Sequence, residues 1–208
     1  QVLSADFAPQ NAPIGYWSRQ YAYDKASIIS HVHAFTEGMK AAKVLTTSKH
    51  FPGLGAVTGN TDISAGVRDD QTNSNSESVQ IFKDLISSGT PSIMTATAIY
   101  DKIDPNLPGA FSSKMVDGLL RKQLGFDGLV ITDDLSNAVQ VQSWTPGQRA
   151  VLALSAGNDL VLANEPTQIP EMISEVLQKA KADPDFAKKI SQSATRVIKV
   201  KEEMKLVE

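Results

Sequence analysis

The residues able to do chemistry fall in a few short runs. Lys49-His50-Phe51-Pro52-Gly53-Leu54-Gly55 leads on to Asn60-Thr61-Asp62, Thr132-Asp133-Asp134-Leu135 stands further along, and Trp17 and Arg19 share a segment near the start. Each run has a chemical and a plain reading. Lys49 can form a Schiff base, or sit beside His50 on a solvated loop. Asp133 and Asp134 can be site carboxylates or helix N-caps. Arg19 alone reads as a surface ion pair. Gly53 and Gly55 suit a tight turn but not a phosphate cradle, because the lysine precedes the glycines and no Lys-Ser/Thr follows. His31 and His33 stand two apart on a predicted helix and face different ways, and His50 is the only other histidine, so a multi-histidine metal centre is not expected.

These groups act together only if the fold gathers them. Strands are predicted at Val2–Phe7, Val44–Ser48, Ser92–Ile99, Gly128–Thr132 and Asp159–Ala163, mostly as continuous apolar or small-residue runs, the mark of parallel strands buried on both faces. Helical spacing links Ile28, Val32, Phe35, Met39 and Ala42, then Val116, Leu119, Leu120 and Leu124. It returns in Ile173, Val176, Leu177 and Ala180, and in Phe186, Ile190, Ala194, Val197 and Met204. Thr145-Pro146-Gly147-Gln148 is a capping box, Asp183-Pro184 opens the last helix, and Ser112 can cap the helix after it. Gly125 and Gly157 fit left-handed C-caps. The polar run Asp69–Ser78 reads as an exposed loop. Alternating strands and helices imply βαβ units around a parallel sheet, open or closed into a barrel. Ligands meet the C-terminal ends of such strands, which is where the reactive runs lie.

Composition narrows the partners. The 208 residues allow one domain or two small ones, and 41% hydrophobic with 21% charged residues is ordinary globular composition. A net charge of −3 gives no electrostatic footprint for nucleic acid. No cysteine is present, which excludes a disulfide scaffold, a thiolate nucleophile and a thiolate metal site. No apolar run approaches the roughly 18 residues of a membrane span, and no signal-peptide pattern is seen. The chain opens Gln-Val-Leu without methionine, so removal of an N-terminal segment is expected.

Taken together, Lys49-His50-Phe51-Pro52-Gly53 and Ile131-Thr132-Asp133-Asp134-Leu135 resemble glycoside hydrolase family 3, most closely its single-domain β-N-acetylhexosaminidase branch. Ala8-Pro9, Ile14-Gly15 with Arg19, Phe111-Ser112, Leu120-Arg121, Leu124-Gly125-Phe126-Asp127-Gly128 and Ala156-Gly157-Asn158-Asp159 have counterparts in the same order. The resemblance implies that Asp133 is a catalytic nucleophile forming a glycosyl-enzyme with retention. It implies that Lys49, His50 and Arg19 hydrogen-bond the sugar hydroxyls. Neighbouring cations are then expected to keep Asp133 ionised, while strand alternation points Asp134 elsewhere. The implied ligand is an N-acetylglucosamine-containing glycan from cell-wall fragments or chitooligosaccharides. Neither a metal nor an organic cofactor is implied, and an extracellular or cell-envelope location is favoured over the cytoplasm.

The chain departs from that branch at the general acid. The family's loop carries an aspartate, a serine and a histidine, and its aspartate–histidine dyad is the acid/base. Here the positions read Asn60, Thr61 and Asp62, while Leu54 and Thr97 also replace common histidines. Asp62 takes the acid role if burial or the charge of Asp133 raises its pKa and its loop folds over the substrate. The alternatives are another β-glycosidase of β-glucosidase type, or a catalytically impaired sugar-binding homologue. Length matters as well. A (β/α)8 barrel of TIM type needs about 250 residues. Residues 1–208 therefore read as a partial catalytic barrel, about its C-terminal five strand–helix units, with loop missing near Gln10. An open arc with an unpartnered edge is expected, completed by preceding units such as a separate N-terminal chain.

Overall fold

A computed structural model describes residues 13–207. The predicted strand Val2–Phe7, Ala8-Pro9 and the segment around Gln10 lie outside them. Seven strands follow in the order β1 (Thr47–Phe51), β2 (Arg68–Asp69), β3 (Ser92–Thr95), β4 (Ile99–Tyr100), β5 (Asp104–Pro108), β6 (Leu129–Asp134) and β7 (Leu160–Leu162). The helices are α1 (Lys25–Ala41), α2 (Glu77–Ser87), α3 (Pro146–Ala156), α4 (Ile169–Ala182) and α5 (Pro184–Glu203), with a π-helical segment at Lys114–Gln123.

The main sheet has the order β1-β3-β6-β7 and is parallel throughout, with Thr47 opposite Ser92, Ser92 opposite Leu129 and Ile131 opposite Leu160. A helix precedes each of its strands, so the described part is an open βα arc. Phe51, Ile93 and Val130 pack against Val79, Phe82, Leu85, Met115 and Leu120 in the larger core. A second core under α3 and α4 gathers Phe111, Leu135, Val141, Ala153 and Met172. The short strands β2, β4 and β5 form a separate small sheet.

The helix ends follow their local chemistry. Thr145 and Gln148 form the reciprocal capping box of α3, and Gly157 ends that helix in the left-handed region. Asp183 accepts from the backbone of Asp185 and Phe186 at the start of α5. The Ser112 hydroxyl accepts from Met115 N–H at 3.2 Å.

Several boundaries differ from the sequence reading. Strand β1 starts at Thr47, leaving Val44 and Leu45 exposed before it. Strand β6 runs on through Asp134. The run Ser92–Ile99 splits: Ala96 N–H still donates to the Phe51 carbonyl of β1, but the carbonyls of Ala96 and Ala98 accept from Ala110 and Gly109. The helix expected at Val116–Leu124 is wound more widely, with Leu124 N–H donating five residues back to the Leu119 carbonyl. The supposed loop Asp69–Ser78 contains a buried Asp69, which accepts from Gln71 and Thr72, and ends in the first turn of α2. Burial on both faces holds for β3 alone; β6 alternates and β7 is half-buried.

Strand β7 has no partner on its outer side among the described residues. Next to it, α4 leaves Ile169, Ile173 and Leu177 exposed, and a groove of about 480 Å³ runs between them. At the other end of β7, buried Asp159 accepts from Arg121 at 2.6 Å, Val130 N–H at 2.9 Å and Arg196 at 2.7 Å. One carboxylate thereby joins the π-helical segment, β6 and α5. Among the described residues, no helix is long and apolar enough to cross a membrane.

Candidate active site

The site forms at the C-terminal ends of β1 and β6. Lys49 and His50 are the third and fourth residues of β1 rather than residues of a following loop. The Lys49–His50 and Phe51–Pro52 peptide bonds are both cis. The chain then turns at Gly53, where φ is +134° and a Cβ would lie 2.7 Å from the Ser78 Cβ. Glycine is required on both counts. The buried Tyr100 hydroxyl donates to the Gly53 carbonyl at 2.7 Å and fixes the turn from below. Leu54, standing where the family often has histidine, is buried in the main core.

His50 is 3% exposed, and its Nε2 lies 3.5 Å from Asp133 Oδ2. Burial, then the charges of Lys49 and Arg19, hold its pKa well below the usual 6.5. The contact with Asp133 is therefore that of a neutral imidazole and not an ion pair. Among the described residues, the buried Nδ1 of His50 and Oγ1 of Thr97, just past the end of β3, have no hydrogen-bond partner.

Asp133 and Asp134 close β6 and point to opposite sides, as strand alternation requires. The Asp133 side chain keeps 21% of its surface. Its Oδ1 accepts from Asp134 N–H at 2.9 Å. Burial raises its pKa, the Asp134 N–H lowers it, the charge of Asp62 raises it, and Lys49 and Arg19 lower it; the outcome is above the ordinary carboxylate value. Lys49 and Arg19 do favour the ionised form, as expected of neighbouring cations, but desolvation is the larger influence. Asp134 is structural. It accepts from the hydroxyl and N–H of Ser136 and from the N–H groups of Asn137 and Asn164. Burial works to raise its pKa, but these donors together bring it below the usual value.

Arg19 and Asp62 complete the group. Arg19 ends a turn in which Tyr16 and Trp17 are exposed, donates to the Pro13 carbonyl at 2.8 Å, and exerts its charge on both His50 and Asp133. Asp62 is exposed on the loop after β1, close enough for its charge to act on Asp133. His50 and Asp133 are thus in contact, and Lys49, Arg19 and Asp62 lie within electrostatic reach of Asp133. His31 and His33 lie apart, exposed on α1. Among the described residues, no three His, Asp or Glu side chains form a group able to hold a metal. Sequence reasoning missed Tyr100 and Gln140. Gln140 contacts Val67 across 73 positions, and no local pattern signals such a contact.

Comparison with known proteins identifies the family and the fold. A profile described as "Glycosyl hydrolase family 3 N terminal domain" matches residues 4–200. A β-hexosaminidase of Methylobacillus flagellatus is 33% identical over 177 residues, covering 84% of this chain and 50% of that protein. The solved β-N-acetylhexosaminidase of Beutenbergia cavernae is 48% identical with a TM-score of 0.94, over 97% of this chain and 61% of that one. A family 3 β-N-acetylglucosaminidase of Paenibacillus, at 24% identity and a TM-score of 0.86 over 98% of this chain and 39% of that one, shares the fold. The sheet is accordingly an arc of a TIM-type (β/α)8 barrel. The chain spans about half the length of the curated relatives it matches.

Proposed function

The chain belongs to glycosyl hydrolase family 3, and from that premise we propose that it carries the reacting groups of a retaining β-N-acetylhexosaminidase. The substrate is a glycan ending in β-linked N-acetylglucosamine, such as a cell-wall fragment or chitooligosaccharide. Relatives named as hexosaminidases favour the amino sugar over glucose.

The observation that carries this reading is Asp133. It is a desolvated carboxylate at the end of a barrel strand, with a neutral histidine 3.5 Å away and two cationic side chains acting on it. Desolvation leaves the anion less satisfied and so more ready to form a bond. Asp133 attacks the anomeric carbon while the bond to the leaving oxygen breaks, giving a glycosyl ester. Asp62 supplies the proton to that oxygen. It then removes a proton from water, which attacks the same carbon and releases Asp133, so configuration is retained. Lys49, Arg19 and His50 bind the ring hydroxyls and set the sugar's orientation.

The flank of β7 is the seat for the strand–helix units that complete the barrel, including those of a separate N-terminal chain. Recovery of such a chain with this one from source cells checks that point. Cell fractionation checks the extracellular or envelope location. The main test is hydrolysis of an aryl N-acetyl-β-glucosaminide by the full-length protein. Asp133→Asn is expected to lower kcat/KM at least about a thousandfold. Absence of turnover by the wild type on any aryl glycoside overturns the proposal.

A further inference from the structure

The segment after β6 is sewn to the loop after β1. Gln140 N–H donates to the Thr61 carbonyl at 3.0 Å, and Val139 N–H donates to the Asp62 carbonyl at 3.2 Å. The Gln140 side chain adds two bonds of its own. Its Oε1 accepts from Val67 N–H at 2.9 Å, and its Nε2 donates to the Val67 carbonyl at 3.0 Å. One amide side chain thus satisfies both backbone groups of a residue 73 positions away, as a neighbouring strand would. Gln140 is buried, so water does not compete for these bonds. The four bonds bracket the stretch from Thr61 to Val67.

Asp62 lies inside that bracket. Its own N–H donates to Asn60 Oδ1 at 2.9 Å, and the N–H groups of Ile63 and Ser64 donate to the Asn60 carbonyl. The Asp62 backbone is therefore held locally and from across the site, while its side chain stays exposed. The holding segment is itself rigid. Asp134 caps the turn at Ser136 and Asn137, and the buried Arg149 guanidinium binds the carbonyls of Leu135 and Ser136. Only this capped turn separates Gln140 from Asp133.

We propose that Gln140 is a positioning residue that sets the Asp62 carboxyl relative to Asp133, so that acid and nucleophile ride on one hydrogen-bonded rim. The inference rests on Asp62 being the general acid. Its hydrogen bonds go to Thr61 and Val67 of the loop after β1, and none goes to Asp62 or Asp133 side-chain atoms. It acts by keeping the loop after β1 docked, in place of a loop that closes only over substrate. Proton donation matters most when the leaving oxygen is strongly basic. A misplaced acid therefore harms poor leaving groups selectively, whereas general loosening of the fold harms good and poor ones alike.

The experiment compares phenyl and 2,4-dinitrophenyl N-acetyl-β-glucosaminides with the full-length wild type, Asp62→Asn and Gln140→Met, the last of which keeps the side chain's length without its polar atoms. Asp62→Asn is expected to lose roughly a hundredfold or more of kcat/KM on the phenyl substrate and far less on the dinitrophenyl one. Gln140→Met should show the same selectivity, with about a tenfold loss on the phenyl substrate, and should shift the basic limb of its pH profile. Amide hydrogen exchange across residues 57–68 should speed up in Gln140→Met. Gln140→Glu keeps the acceptor for Val67 N–H, should fall between wild type and Gln140→Met, and serves if the methionine variant does not fold. Equal losses on both substrates, or no loss with faster exchange, overturn the role of Gln140. A wild type inactive on both substrates, or an unselective Asp62→Asn, instead overturns the function or acid assignment on which it rests.

Discussion

Asp133 and Asp134 are the same residue type one position apart, yet they titrate in opposite directions. Asp133 is raised by burial, and Asp134 is lowered by its donors against burial. For Asp133 the folded-state pKa exceeds the unfolded one. Its contribution to stability is present at low pH and is lost as pH rises through the folded value. The ionised carboxylate is thus a load on the fold at neutral pH. Asp133→Asn should raise thermal stability at pH 7 by about 1 kcal/mol while abolishing turnover, a gain read from melting curves. If Asp133 is the nucleophile, as proposed, the acid limb of kcat/KM should lie above the ordinary aspartate value. Asp134 has the reverse linkage, with stability present above its unfolded pKa and lost as pH falls through the folded one. Asp134→Ala removes the acceptor of four donors and should cost about 2–3 kcal/mol in denaturant unfolding. His50, held neutral, adds stability above the unfolded value of 6.5 that is lost as pH falls below it. The identity of these residues was legible from the Lys49–Gly53 and Thr132–Leu135 runs. Their titration was not, because it depends on how much water the fold removes.

At the scale of elements, the caps were the readable part. The reciprocal bonds of Thr145 and Gln148 and the left-handed Gly157 stand where local chemistry put them. Thr145→Ala should cost about 1 kcal/mol by chemical denaturation. The ends of β1 and β6 were read three and two residues short because Lys49, His50, Asp133 and Asp134 are polar, and a strand that ends in a site does not look apolar there. The small sheet of β2, β4 and β5 escaped notice because two of its strands have only two residues each. It matters for the site, since Tyr100 of β4 holds the Gly53 turn. Gly53→Ala meets both a positive φ and the Ser78 Cβ. It should destabilise by about 2 kcal/mol or more and displace His50, lowering activity in the aryl glycoside assay even where the variant folds.

The whole described chain is an arc held at its ends by different means. Asp159 ties three elements with bonds that sequence alone did not foretell, since Arg121 and Arg196 lie 38 and 37 positions away. Asp159→Asn leaves two guanidinium groups short of a counter-charge and should cost about 3–5 kcal/mol in thermal or denaturant unfolding. The expectation of an open arc of about five strands came from a count of strand–helix units against the length a barrel requires, which needs no contacts; the described residues show four of its strands, with β7 lacking an outer partner among them. The two tryptophans sit in opposite settings on this arc. Trp144 is half-buried and packs edge-on against Phe111 at 5.3 Å at the margin of the second core, while Trp17 is 65% exposed two residues before Arg19. Their emission should therefore separate into a partly shielded component at shorter wavelength and a solvated one that iodide quenches more strongly. Unfolding is expected to report through the first and, on the proposed role of Arg19 in sugar binding, occupancy through the second, which fluorescence titration with N-acetylglucosamine checks.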